Sequence, residues 1–148
     1  MPFKPAAPST ANRGKLEEKE VQTFLTNYSN KNAKFDFLRY PDARTAGGRM
    51  TAMPADFEFF MPFVHGLIEV KATEHPFRLP KDKVSQLATM KKRALAGGKC
   101  FLLIHHSTED NWRICPVEDM ASNVPSWDFS HLKNYDSAES ALLSTGVF

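Results

Sequence analysis

Asp56, Glu69 and Lys71 are the residues of this sequence whose types and spacing could do chemistry together. The stretch 66–73, "GLIEVKAT", closes an apolar run with an acid and a lysine separated by a single valine. Alternate side chains of a strand point to opposite faces, so Glu69 and Lys71 share one face and Ile68 and Val70 the other. The longer segment "ADFEFFMPFVHGLIEVKAT" reads as two strands around a turn near Pro62–Gly66. Symmetric pairing about that turn would set Asp56 opposite Lys71, one diagonal step from Glu69. Two carboxylates with open positions between them suit Mg²⁺, which takes oxygen ligands and keeps several waters. Such a cation lowers the pKa of a bound water and neutralises charge building on a phosphate. Lys71 would orient the nucleophile or steady the transition state. Without cation and phosphate the same residues would form only a structural ion pair. Glu58, on the strand face of Asp56, is an alternative ligand.

The elements that must position these groups are legible from periodicity. Residues 12–28 read as a helix, with Val21, Phe24, Leu25 and Tyr28 on one stripe. Glu18 borders that stripe and can point toward a sheet, while Glu17 lies nearer its middle and competes for the same role. A glutamate in the first turn can equally serve the helix dipole. "KFDFLRY", 34–40, alternates like a strand, and 41–53, with Gly-Gly and the arginines Arg44 and Arg49, reads as a projecting loop. A second helix follows over 82–98, with Asp82 as its cap and Gly97–Gly98 as its stop. "KCFLLIHH" is a buried strand and "NWRICPV" another, whereas the tail 122–148 has no clear period. Helix, three strands, helix and further strands predict an α/β fold, a mixed β-sheet flanked by helices.

Composition fits a globular chain, and its charge order is compatible with a polyanionic partner. The 148 residues are 42% hydrophobic and 24% charged, enough for one domain with a real core. No apolar run approaches the roughly 20 residues that span a bilayer, and "MPFKPAAPST" lacks the apolar centre of a secretory signal. Cys100 and Cys115 form no CxxC, which argues against zinc knuckles and disulfide frameworks and for a reducing compartment. The net charge of +2 hides a segregation, with 1–50 and 78–99 basic and the intervening segment holding Asp56 and Glu69 acidic. Such an order suits a polyanion approaching a cation-binding centre. Solvated surface charge is the plainer explanation for the counts alone.

Pro54-Ala55-Asp56 followed by Glu69-Val70-Lys71 resembles the PD-(D/E)xK nuclease superfamily, and Gly14, Glu18 and Val21 resemble the motif of that superfamily's first helix. "NRG" before a helical glutamate, "EVKAT", a later helix bearing Gln86, and "AGGKCFLLI" follow in the order of RecU-type Holliday junction resolvases, over residues 12–120. The resemblance implies a restriction-endonuclease-like core that works as a homodimer. It implies cutting of four-way DNA junctions with Mg²⁺ or Mn²⁺, leaving 5′-phosphates, in the cytoplasm of a bacterial or phage-infected cell. By position, Asp56 and Glu69 would hold the metal and Lys71 would complete the catalytic core. Glu18 and Gln86 would support it, and Arg13 would contact phosphate. Arg44 and Arg49, on a stalk at 41–53, are set to meet the junction, and Lys81 and Lys83 the DNA near the site. Residues 1–11 would be a flexible arm, 12–120 the nuclease core and 121–148 an extension of the same domain. The stalk is short for the family, and Ala55 stands where the family favours threonine.

Other residues invite readings that the sequence favours less. His105 and His106 are adjacent on a strand and so face opposite sides; solvent-facing strand-end histidines fit better than a metal pair. His75 and Arg78 fit exposed loop positions better than phosphate contacts. Trp112 and Trp127 fit core or interface positions better than base stacking. Lys91, Lys92 and Arg93 suit either a solvated helix face or a DNA backbone.

Overall fold

The computed structural model describes residues 10–41 and 53–148, with side chains from Leu16 onward. Residues 1–9 of the N-terminal arm, most of the expected stalk with Arg44 and Arg49, and the side chain of Arg13 lie outside the described residues, and Thr10 and Ala11 are helical rather than part of an arm. Helix α1 (Thr10–Lys31) buries Val21 and Leu25 completely, the stripe expected from its period. Strands β1 (Asp36–Arg39), β2 (Phe57–Met61) and β3 (Val64–Thr73) follow. A short strand β4 (Arg78–Pro80) and a 3₁₀ turn at Lys81–Lys83 lead to helix α2 (Leu87–Leu95). Strands β5 (Lys99–His106) and β6 (Asn111–Pro116), a short β7 (Ser126–Asp128) and helix α3 (Ala138–Leu143) complete the chain. None of the described helices is long and apolar enough to cross a membrane.

The main sheet runs β1-β2-β3-β5-β6 and is antiparallel except for the β3–β5 pair, whose crossover contains α2. Each face carries its own core. Val21, Leu25, Phe57, Phe59, Ile68 and Leu103 pack on the α1 and α3 side. Leu67, Leu87, Met90, Leu102, Ile104 and Trp127 pack on the α2 side. The tail, which has no clear period, is placed by partners distant in sequence. β7 pairs with β4, Tyr135 bridges to Trp112, and Phe148 meets Phe35 and Phe59.

Two local expectations need correction. Asp82 does not cap α2: it sits in the 3₁₀ turn, and Gln86 occupies the N-cap position without a side-chain capping bond. The Lys81 N–H donates to Pro125 O and Val84 is buried, so tertiary contacts hold this stretch off the helix. The β2–β3 turn is tighter than expected, since only Pro62 and Phe63 separate the paired Met61 and Val64, with Phe63 at φ 64°. Gly66 therefore lies within β3. A Cβ there would come 1.9 Å from Lys99 O and 2.5 Å from the Phe59 ring. Gly66→Ala is expected to cost about 2 kcal/mol, read as a lower urea midpoint with an unchanged slope.

Candidate active site

The pairing of β2 with β3 ends at Phe57 and Ile68, while β3 continues beside β5 through Thr73. The edge of β3 that β2 leaves open is met by a side chain instead. Asp56 Oδ2 accepts the Val70 N–H at 2.8 Å, which sets the carboxyl beside Glu69. The expected register, with Asp56 opposite Lys71, is thus off by one pleat, and the tighter turn is the reason. Glu69 is 1% exposed, and its Oε1 lies 3.8 Å from Nζ of the half-buried Lys71. The other oxygen, Glu69 Oε2, is buried with no hydrogen-bond partner among the described residues. From α1, Glu18 comes within hydrogen-bonding reach of Asp56, and Asp56 of Glu69.

Burial beside other carboxyl groups makes ionisation of Asp56 and Glu18 costly. Burial, then the hydrogen bond and charge of Glu69, push Asp56 up to about 8, against the opposing pull of the Val70 N–H. Burial and then Asp56 push Glu18 up to about 8. Arg39 draws it back, with Nη2 at 3.3 Å from Glu18 Oε2. The donor set fits a hard divalent cation: all oxygen, crowded until positive charge replaces protons, with one buried oxygen of Glu69 unpartnered. Among the described residues no group of three or more His, Cys, Asp or Glu forms a ready metal cage. Two carboxylates with water completing the shell is the habit of Mg²⁺, so Asp56 and Glu69 would hold it.

The remaining candidates fall in several places. Glu18, not Glu17, lies beside Asp56; Glu17 is buried against His105. Gln86 is half-buried at the start of α2 and accepts from the Ser85 hydroxyl at 3.2 Å. Lys81 and Lys83 flank Asp82 on the 3₁₀ turn, Lys83 exposed. Glu58 faces α2, bonded to the Tyr40 hydroxyl and 3.8 Å from Arg93, so it sits in a polar network of its own. His106 is fully buried with Nδ1 donating to His75 O, and His105 bonds two carboxylates, so neither is a solvent-facing strand end. His75 orders its own loop, accepting the Arg78 N–H at 3.0 Å. Trp112 and Trp127 are core. Arg39, which bonds Glu18, was not singled out from the sequence; a cation in the strand at 34–40 was the available signal.

No protein-family profile and no curated protein matches this sequence. Among solved structures, the chain is similar to Hjc of Archaeoglobus fulgidus, a Holliday junction resolvase from an archaeal hyperthermophile. The two superpose with a TM-score of 0.52 at 19% sequence identity, over 86% of this chain and 96% of that one. At that identity the likeness establishes the fold: a mixed sheet flanked by helices with a restriction-endonuclease-like core.

Proposed function

We propose that this chain is a metal-dependent endonuclease that resolves four-way DNA junctions, by paired nicks leaving 5′-phosphates, as a RecU-type resolvase would. The observation that carries this is the meeting of Glu18, Asp56, Glu69 and Lys71 where β2 leaves β3, on a fold shared with a junction resolvase. Mg²⁺ or Mn²⁺ bound by Asp56 and Glu69 would supply Lewis acidity and an activated water. The chain's own residues do the rest. The Val70 N–H fixes one Asp56 oxygen and so aims the other. Lys71, held by Glu69, presents its ammonium where negative charge builds on a phosphate. Glu18 restrains Asp56, and Arg39 offers an exposed guanidinium to the backbone at the rim. Gln86, Arg13, Lys81 and Lys83 would contribute contacts around the scissile strand.

A four-way junction presents two symmetry-related phosphates, and a C2 homodimer places two such sites to match. The test is cleavage of a synthetic four-way junction against matched linear duplex, with and without Mg²⁺, for the natural chain and Asp56→Asn. Symmetric nicks in the junction alone, requiring both metal and Asp56, are expected. Cutting of both substrates would leave a nuclease of branched or duplex DNA. No cutting by folded protein with Mg²⁺ or Mn²⁺ would leave a DNA-binding recombination accessory protein. Replacing Arg44 and Arg49 together by alanine is expected to weaken junction binding about tenfold more than duplex binding. An unchanged ratio in a gel-shift titration would remove the stalk from the reading.

A further inference from the structure

Beside the carboxylate cluster, α1 carries a second acid that the proposed chemistry does not use. Glu17 lies on the stripe that continues as Val21 and Leu25 and is 6% exposed, where leucine or alanine would pack readily. Its Oε1 lies 2.7 Å from Nδ1 of His105 at the end of β5. Nε2 of the same ring lies 2.8 Å from Oδ1 of Asp110, in the turn between β5 and β6. Acceptors thus face both ring nitrogens, the arrangement that a doubly protonated ring satisfies. Burial alone would lower the His105 pKa, but its hydrogen bonds to Glu17 and Asp110 outweigh that and the net shift is upward. Trp112 stacks on the ring at 4.6 Å, and Asp110 reaches it from a left-handed backbone with φ 51°. Glu17 Oε2 is buried with no hydrogen-bond partner among the described residues.

An apolar pair also fits such a place. What a hydrogen-bonded chain adds is direction, because an apolar contact lets a helix roll about its axis and a directed bond does not. The position on α1 makes that direction matter. Among its described side chains the buried apolar anchors begin at Val21; nearer the N-terminus Leu16 is exposed and only Glu17 is buried. Glu18, the next residue, projects about 100° further round the helix and meets Asp56. His105 stands opposite Ala72 in the β3–β5 ladder, one residue beyond Lys71. We infer that Glu17, His105 and Asp110 are positioning residues, a clamp that fixes the rotation of α1 and thereby holds Glu18 against Asp56. The catalytic consequence rests on the nuclease reading; the clamp itself is a property of the metal-free fold.

Replacing Glu17 and His105 together by leucine removes the directed bonds while keeping the site filled. Two readouts apply to that protein: junction cutting under single turnover alongside junction Kd, and amide hydrogen exchange along α1 without metal. The expected result is a cutting rate lower on the order of 10²-fold with Kd within about threefold. Exchange over residues 17–22 should be about tenfold faster, with residues 25–31 unchanged. If the double variant does not fold, Glu17→Met, which keeps the length of the side chain and removes the acceptor for His105, is measured for the same pattern. Wild-type cutting or unchanged exchange in the folded variant overturns the clamp. If the unmutated chain does not cut any junction, the nuclease reading fails, and the exchange measurement alone decides the clamp.

Discussion

Lys71→Ala is expected to reduce junction cutting by at least about 10³-fold while changing junction Kd by less than about threefold. The asymmetry follows from where the lysine sits. Nζ lies 3.8 Å from Glu69 Oε1, and only about a quarter of the side chain is exposed, so it contributes little to the long-range attraction of DNA. On the proposed reading its charge acts at the reacting phosphate, where a poorly hydrated site strengthens electrostatics and the transition state carries more negative charge than the ground state. Removing an interaction made chiefly in the transition state lowers the rate and spares binding. Gel shifts in Ca²⁺ paired with single-turnover cleavage in Mg²⁺ measure the two quantities. Equal losses in both would show that Lys71 only attracts DNA.

The second large effect is on stability and needs no substrate. In the unfolded chain Asp56 and Glu18 titrate near 4, whereas in the metal-free fold both are raised to about 8. Between those values the folded state binds more protons than the unfolded state, so stability falls as pH rises. The full stability is present below about pH 4 and the loss is complete above about pH 8. With coupling between the two acids and solvent screening at Glu18 allowed for, the loss should be on the order of 3 kcal/mol. That corresponds to a Tm lower by about 6–12 °C at pH 8 than at pH 5 in the presence of chelator. His105, whose pKa is also raised, adds in the same direction, and His106, lowered by burial, opposes it at the acidic end. Asp56→Asn isolates the cluster: the variant should be more stable than the natural chain at pH 8 and lose much of the slope. Saturating Mg²⁺ should raise Tm at pH 8 more than at pH 5, since cation and protons compete for the same oxygens. A chelated natural chain whose stability is flat or rises over this range, or a slope that Asp56→Asn leaves untouched, would contradict the carboxylate cluster.

Local pattern and local chemistry were readable at several points, each for a physical reason. The period of α1 identified Val21 and Leu25 because a helix on a sheet must bury a stripe, and both are fully buried. Gly97, at φ 99°, ends α2 with Gly98 N–H on Arg93 O, as a glycine pair after a helix suggests. The histidines were misplaced because a strand end looks exposed until something packs on it. His106 is covered by the loop holding His75, and His105 by α1 and Trp112. The cap at Asp82 failed for a similar reason, a backbone bond to Pro125 from a distant segment.

The sequence by itself determined that Glu69 and Lys71 share a face, because side-chain alternation is a property of any extended strand. It also determined that an acid of the first helix borders the sheet, and that helices alternate with strands to build a mixed α/β fold. Only the tertiary structure decided that Asp56 lies level with Glu69, since register depends on the turn and on which backbone N–H a side chain takes. It alone decided between Glu17 and Glu18, adjacent residues about 100° apart on the helix. His105 and Asp110 hold one and Asp56 meets the other, and those partners come from segments far apart in the chain. Alternation and helical period are short-range consequences of backbone geometry, whereas the convergence of three carboxyl groups is set by how separate elements pack.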